Sequence, residues 1–382
     1  MGGDAGNVTV LQVLPSLVTG GVERGTIEIA QAIARMGWTT LVASSGGRLV
    51  PAVERAGGRH IALPLACRDP LTIWRNAARL ARLIRSEGVD IVHARSRAPG
   101  WSAWLACQRT KTHFVTTYHG AYAEDLPFKR RYNAVMVKGE RVIAASRFIA
   151  ELIVRQHQTD AGRIRVIPRG VDPVTFDPRA VGGDRMMRLA QSWRLPEGAT
   201  VALLPGRLTH WKGQGVLIEA LAQMGRQDIF GVLVGSDQGR DRYSTGLIRR
   251  AQQLGVADRL RLAGQCDDMP AALMLADVVV HASVAPEAFG RVVIEAQAMG
   301  RPVIASDLGG PVETVQQGVS GWRVPPGDAP ALASAIERVL ALPPADRAAV
   351  GERARRAVLA GYTVGTMQAA TLDVYREVMG LA

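Results

Sequence analysis

Short β-branched runs alternate with longer amphipathic stretches along almost the whole chain, and the cycle runs twice. The first series of strand-like runs covers 8–14, 39–43, 91–93, 114–118, 142–144 and 165–167; the second covers 201–204, 229–234, 260–263, 278–281 and 303–305. Helical patterns fill the gaps, most clearly at 26–36, 71–86 and 148–156. Strands that alternate with helices are joined by crossovers, so each series predicts a parallel sheet covered on both faces. The stretch Ile167-Pro168-Arg169-Gly170-Val171-Asp172-Pro173 interrupts the rhythm and marks a joint. The reading is an α/β protein of two Rossmann-like, doubly wound domains, over 1–175 and 182–360. A last helical segment, 361–382, is expected to pack back on the first domain. At 382 residues the chain is too long for one ordinary core, which agrees with two.

Charge is divided unevenly between these halves. Residues 1–180 hold 25 Lys+Arg against 14 Asp+Glu, and the remainder holds 21 against 20, within a net charge of +12. An excess confined to one half points to an anionic partner there: a phosphate-rich membrane surface or an acidic acceptor fits, and charge alone leaves nucleic acid open. Arg75, Arg79, Arg82 and Arg85 recur at helical spacing, and Lys129-Arg130-Arg131 adds a second basic stretch. The high pI alone is no reason to call for nucleic acid. No apolar run reaches the ~18 residues of a membrane span, and 8–14 reads as a strand, not a signal peptide. Cys67, Cys107 and Cys266 form no C-x-x-C pair, which argues for reduced thiols in the cytoplasm and against a zinc framework.

Doubly wound sheets bind ligands beyond the carboxyl ends of their strands, so the loops at those ends carry the functional reading. After the first strand comes Thr19-Gly20-Gly21-Val22-Glu23, where tandem glycines let backbone N–H groups approach a ligand at a helix start. It is not a G-x-G-x-x-G, and no acidic residue stands where a nicotinamide dinucleotide would need one. In the second domain the strand 201–204 runs into Gly206-Arg207-Leu208-Thr209-His210-Trp211-Lys212-Gly213. Lys212 is the only lysine after residue 138 in a chain rich in arginine, which fits a place wanting a compact ammonium. With Arg207 it makes a clamp suited to a diphosphate. After strand 278–281 comes Pro286-Glu287-Ala288-Phe289-Gly290-Arg291-Val292-Val293-Ile294-Glu295, an E-x7-E pattern. Glu287 is expected in a loop and Glu295 about two turns into the next helix, the carboxylates roughly 10 Å apart along one ligand. His93, with Arg95 and Arg97, is expected to end a strand at the cleft edge, facing an acidic acceptor. His60, His113, His157, His210 and His281 read as structural or surface residues, and Trp101 and Trp104 as core.

In this order and spacing, these pieces resemble retaining glycosyltransferases of family 4, the group 1 enzymes with the GT-B fold. The match includes Gly20-Gly21, His119 in Thr116-Thr117-Tyr118-His119-Gly120, Ser146-Arg147-Phe148, Gly170-Val171-Asp172, Gly206-Arg207 with Lys212-Gly213, Glu287 with Glu295, and Gly300 with Pro302-Val303-Ile304-Ala305. The resemblance implies two domains facing across a cleft. It assigns donor-sugar hydroxyls to Glu287, the ribose to Glu295, and the diphosphate to Arg207 and Lys212. It places the backbone at Gly20, Gly21, Ala288, Phe289 and Gly290 near phosphates and sugar, and His119 on the acceptor side with His93 and Arg97. Two positions depart from the family: Arg169 stands where asparagine is common, and Gln297 where methionine is usual.

The implied chemistry is transfer of a hexosyl unit from a UDP- or GDP-sugar to an acceptor hydroxyl with retention of configuration. No D-x-D ends a strand, so no essential metal or cofactor is expected, and Arg207, Lys212 and helix dipoles supply the electrostatics. The basic first domain points to a lipid-linked or phosphorylated glycan acceptor in cell-envelope or lipopolysaccharide core synthesis, at the inner membrane face. The alternative is a nucleotide-sugar epimerase on the same fold.

Overall fold

The structure is a computed structural model and describes residues 8–18, 20–122, 127–239 and 241–381; Thr19 of the glycine turn lies outside them. The chain forms two compact units, residues 1–169 with 364–382, and residues 170–363. In the first, seven strands run β1 (Thr9–Val13), β2 (Thr39–Ser44), β3 (Arg59–Ala62), β4 (Ile91–Ala94), β5 (His113–Tyr118), β6 (Arg141–Ala144) and β7 (Ile164–Val166). Their spatial order is β3-β2-β1-β4-β5-β6-β7, and every pairing is parallel. In the second, β8 (Thr200–Pro205), β9 (Ile229–Val234), β10 (Leu260–Gly264), β11 (Val278–His281), β12 (Val303–Ser306) and β13 (Trp322–Val324) take the order β10-β9-β8-β11-β12-β13, again all parallel. Both are doubly wound α/β units, the fold class expected from the alternation.

The period of two along β1 shows how the first unit is filled. Leu11 and Val13 join Leu80, Ile84 and Ala103 on one face, while Val10 joins Ile29, Ile33 and Ile143 on the other. The helix Val364–Met379 belongs to this second cluster through Met367, Leu372, Val374 and Tyr375, the last fully buried. It is also tied by charge, since Glu377 accepts from Arg141 Nε at 2.8 Å and Arg165 Nε at 3.0 Å.

β3 and β13 fall outside the strand-like runs of the sequence. Each is an edge strand of its sheet, and β3 has no buried residue. A strand buried on neither face lacks the apolar run that reveals central strands. In the second unit the core around Leu204, Leu217, Leu233, Val280 and Ile336 brings the ends of β8 and β11 side by side.

Candidate active site

At those two strand ends the backbone is unusual before any side chain is considered. Gly213 has φ 73°, and a Cβ there would stand 1.8 Å from the carbonyl oxygen of Ala282, just past β11. Only glycine fits so close an approach in a left-handed conformation. Trp211 O accepts from Val284 N at 2.9 Å, so the loop after β8 is stitched to the loop after β11. The second loop is held from its other side, where Gly310 N donates to Glu287 O at 2.9 Å. These backbone contacts place Lys212 against Glu287.

Lys212 Nζ donates to Glu287 Oε1 at 2.6 Å, with side chains only 13% and 12% exposed. His281 Nε2 donates to the same oxygen at 2.8 Å, and the Ser283 hydroxyl does so as well. Burial opposes a charged carboxyl here, but the charges and hydrogen bonds of His281 and Lys212 outweigh it and hold Glu287 well below the usual carboxylate range. Lys212 also lies over the Trp211 ring at 4.6 Å. Arg207 is exposed at the mouth of the same loop, its guanidinium 5.9 Å from the Trp211 centroid. The structure thus pairs Lys212 with Glu287, and Arg207 shares the loop and the Trp211 ring with Lys212.

The remaining predicted residues fall as follows. Gly290, φ 82°, is the left-handed cap of the helix Arg291–Ala298, so the helix begins only at Arg291. Glu295 is thus little more than one turn in, not two, and pairs along the helix with Arg291 at 3.6 Å. Ala288 is partly exposed, whereas the Phe289 ring is buried against Tyr362, which leaves only its backbone for a ligand. His281, read as structural, is the residue the sequence missed: it sits 5% exposed at the end of β11 and grips Glu287. Its spacing of six residues before Glu287 across a loop carried no signal. Gln297 is fully buried and donates to Thr314 O and Ser320 O, each at 3.0 Å, a pair of bonds methionine could not make.

In the first unit, Gly20 caps the helix Gly21–Arg35 with φ 140°, a region essentially reserved for glycine. His93 stands near the end of β4 as expected, but the expectation that it is open to an acceptor gives way. It is fully buried, with Nδ1 2.7 Å from the Tyr375 hydroxyl and Nε2 2.6 Å from Thr117 Oγ1. Arg97 bonds Asn133 Oδ1 at 2.9 Å and lies 4.2 Å over the Tyr122 ring. His119 follows β5 and touches Arg169 through Nδ1. Trp101 and Trp104 meet edge to face at 5.7 Å but remain partly exposed. Among the described residues, no three His, Cys, Asp or Glu side chains converge as a metal site.

Comparison with known proteins decides what this loop architecture belongs to. The group 1 glycosyl transferase profile matches residues 187–357, and the glycosyltransferase family 4 profile matches residues 19–174. A D-inositol 3-phosphate glycosyltransferase of Salinispora tropica is 30% identical over 98% of this chain and 82% of its own length. This chain belongs to the group 1 glycosyltransferases. Among solved structures, the glycosyltransferase resembles one from Rickettsia africae with 35% identity, covering 99% of this chain and all (100%) of that one, with a TM-score of 0.90. The Anabaena protein HepE, solved with UDP and glucose, shares the fold at 24% identity, 97% coverage of this chain, 100% of that chain and a TM-score of 0.86.

The depressed pKa of Glu287 gives a signed prediction for this glycosyltransferase. A carboxylate held below its unfolded value contributes stability that is present above about pH 4.3 and is lost as pH falls below it. Between about pH 4.3 and 3.3, wild type should lose about 1 kcal/mol more unfolding free energy than Glu287→Gln. Urea titrations at the two pH values check this; parallel losses would show that Glu287 carries no buried charge.

Proposed function

We propose that the chain transfers a hexosyl unit from a UDP- or GDP-linked donor to an acceptor hydroxyl with retention of configuration. The observation that carries this reading is the Lys212–Glu287 pair with Arg207 beside it, at the carboxyl ends of β8 and β11. Departure of a nucleoside diphosphate from an oxocarbenium-like carbon needs fixed positive charge on the leaving group, and Arg207 and Lys212 provide two such charges. Glu287, ionised and already aimed by His281 and Ser283, accepts hydrogen bonds from sugar hydroxyls. A carboxylate so saturated with donors is a poor nucleophile or base, which disfavours a double-displacement hydrolase. The departing phosphate then takes the acceptor proton on the face it leaves, and the chemistry calls for no metal or cofactor. Glu295 is assigned the ribose, and His119 and Arg97 the acceptor side.

The acceptor in this reading is anionic and held at a membrane, in cell-envelope glycan synthesis. The relatives that share 30% identity are named for a phosphorylated polyol, D-inositol 3-phosphate. In the first unit the helix Pro70–Ser86 carries Arg75, Arg79, Arg82 and Arg85 and no acidic residue, with Leu71 55% and Trp74 57% exposed. The helix Pro127–Asn133 adds Lys129, Arg130 and Arg131, again without acid, and Phe128 is 66% exposed. Exposed aromatics among cations match an anionic bilayer surface. No helix among the described residues is long and apolar enough to cross it.

Three measurements test this. Among UDP, GDP, ADP and their sugars, one nucleotide should raise the melting temperature, and Glu287→Ala should cut transfer about a hundredfold or more. No shift with any nucleotide, or turnover within a few-fold of wild type, contradicts the donor assignment. The chain should co-sediment with vesicles of phosphatidylglycerol and lose about tenfold in binding when Trp74, Arg75 and Arg79 are replaced by Ser. Equal binding to neutral phosphatidylcholine vesicles would refute the electrostatic docking.

A further inference from the structure

Arg169 departs from the asparagine common in the family, and its surroundings give the departure a purpose. The side chain is 8% exposed, and its guanidinium touches His119 Nδ1. A guanidinium carries N–H donors, no acceptor, and a permanent charge, so the ring nitrogen it touches must present a lone pair. A neutral imidazole with its lone pair at Nδ1 holds its proton on Nε2. That nitrogen is buried and has no hydrogen-bond partner among the described residues.

We infer that Arg169 is a positioning residue that fixes His119 as the neutral tautomer with its proton on Nε2, so that His119 meets substrate only as a hydrogen-bond donor.

The neighbouring groups reinforce this. Arg95 stands after β4, fully buried, its Nη1 donating to Gln12 Oε1 at 2.9 Å. Both guanidinia meet over Gly25, where a Cβ would lie 3.1 Å from Arg95 Nη2 and 3.5 Å from Arg169 Nη1. Glycine within a helix costs about 1 kcal/mol, and this packing is the physical reason it stands there. The charged and titratable groups that face the imidazole are Arg169, Arg95 and His93, with the Tyr122 hydroxyl on the His119 main chain; Glu28 and Tyr375 face Arg95. Burial first, then the charges of Arg169 and Arg95 and the His93 ring, hold the His119 pKa well below its ordinary value. Asparagine, shorter and able to donate or accept, would fix neither the charge nor the tautomer. With Nδ1 occupied and Nε2 protonated, His119 has no lone pair with which to take the acceptor proton. That step falls to the departing phosphate, as proposed above. Only this last consequence rests on the transferase reading.

The test is nitrogen NMR of the full chain labelled in histidine, with His119 assigned by His119→Asn. In wild type His119 should show the Nε2–H tautomer and no titration between about pH 5.5 and 8. Arg169→Met, which removes donor and charge, should release Nδ1 so that the Nδ1–H tautomer appears, and should raise the His119 pKa above that of wild type, while burial and Arg95 still hold it below the ordinary value. Arg169→Lys, which keeps a cationic donor, should restore the wild-type pattern. A wild-type His119 that titrates near 6.5 or carries its proton on Nδ1 overturns the inference, whether or not any variant folds. So does an Arg169→Met protein that keeps the wild-type tautomer. Absence of transfer by wild type, with the tautomer as expected, would count against the transferase reading alone.

Discussion

A carboxylate almost removed from water is stable only if donors replace its hydration, and Glu287 receives three at one oxygen, from an ammonium, an imidazole and a hydroxyl. The second unit is built around meeting that need. His281 and Ser283 come from the end of β11, and Lys212 comes from the loop after β8, the neighbouring strand. The contacts that seat them are backbone to backbone, which is why glycines stand at 213, 309 and 310, where any Cβ would meet main-chain atoms within 2.6 Å. Charge and backbone are thus interdependent: the loops converge only without side chains, and the convergence is what satisfies the carboxylate.

The first unit solves a related problem with the opposite sign. Two guanidinia, Arg95 and Arg169, are buried near one another beside two imidazoles. Like charges in a low-dielectric interior repel, so the imidazoles are kept neutral and serve as hydrogen-bonding groups. His93 is locked between Tyr375 and Thr117, and His119 is turned by Arg169. The helix Val364–Met379 takes part in this unit's interior through Tyr375, although it is remote in sequence.

The fold was legible because parallel strands buried on both faces write themselves as apolar β-branched runs, as 229–234 and 278–281 do. The edge strands β3 and β13 were not, since exposure erases that pattern. Lys212 and Glu287 were legible through residue type and loop context, the lysine by its rarity and the glutamate by its Pro and Gly neighbours. His281 was invisible because a histidine closing an apolar strand looks the same whether it fills a core or orients a carboxylate. The length of the helix before Glu295 was misjudged because Gly290 could be read as its first residue, whereas its left-handed φ makes it the cap. The burial of His93 depends on Tyr375, 282 positions away, and no local pattern reports a contact at that distance.

In the proposed division of labour, Lys212 binds diphosphate and Glu287 binds sugar, the two being paired with each other until a donor separates them. Calorimetry with a nucleoside diphosphate and with its sugar conjugate, on wild type, Lys212→Ala and Glu287→Ala, tests it most directly. Lys212→Ala should weaken both ligands by a similar factor, about tenfold or more. Glu287→Ala should weaken the sugar conjugate alone and leave diphosphate binding equal or tighter, because the lysine is released. If Glu287→Ala weakens both ligands equally, the carboxylate is a structural support for the lysine, and the account is wrong.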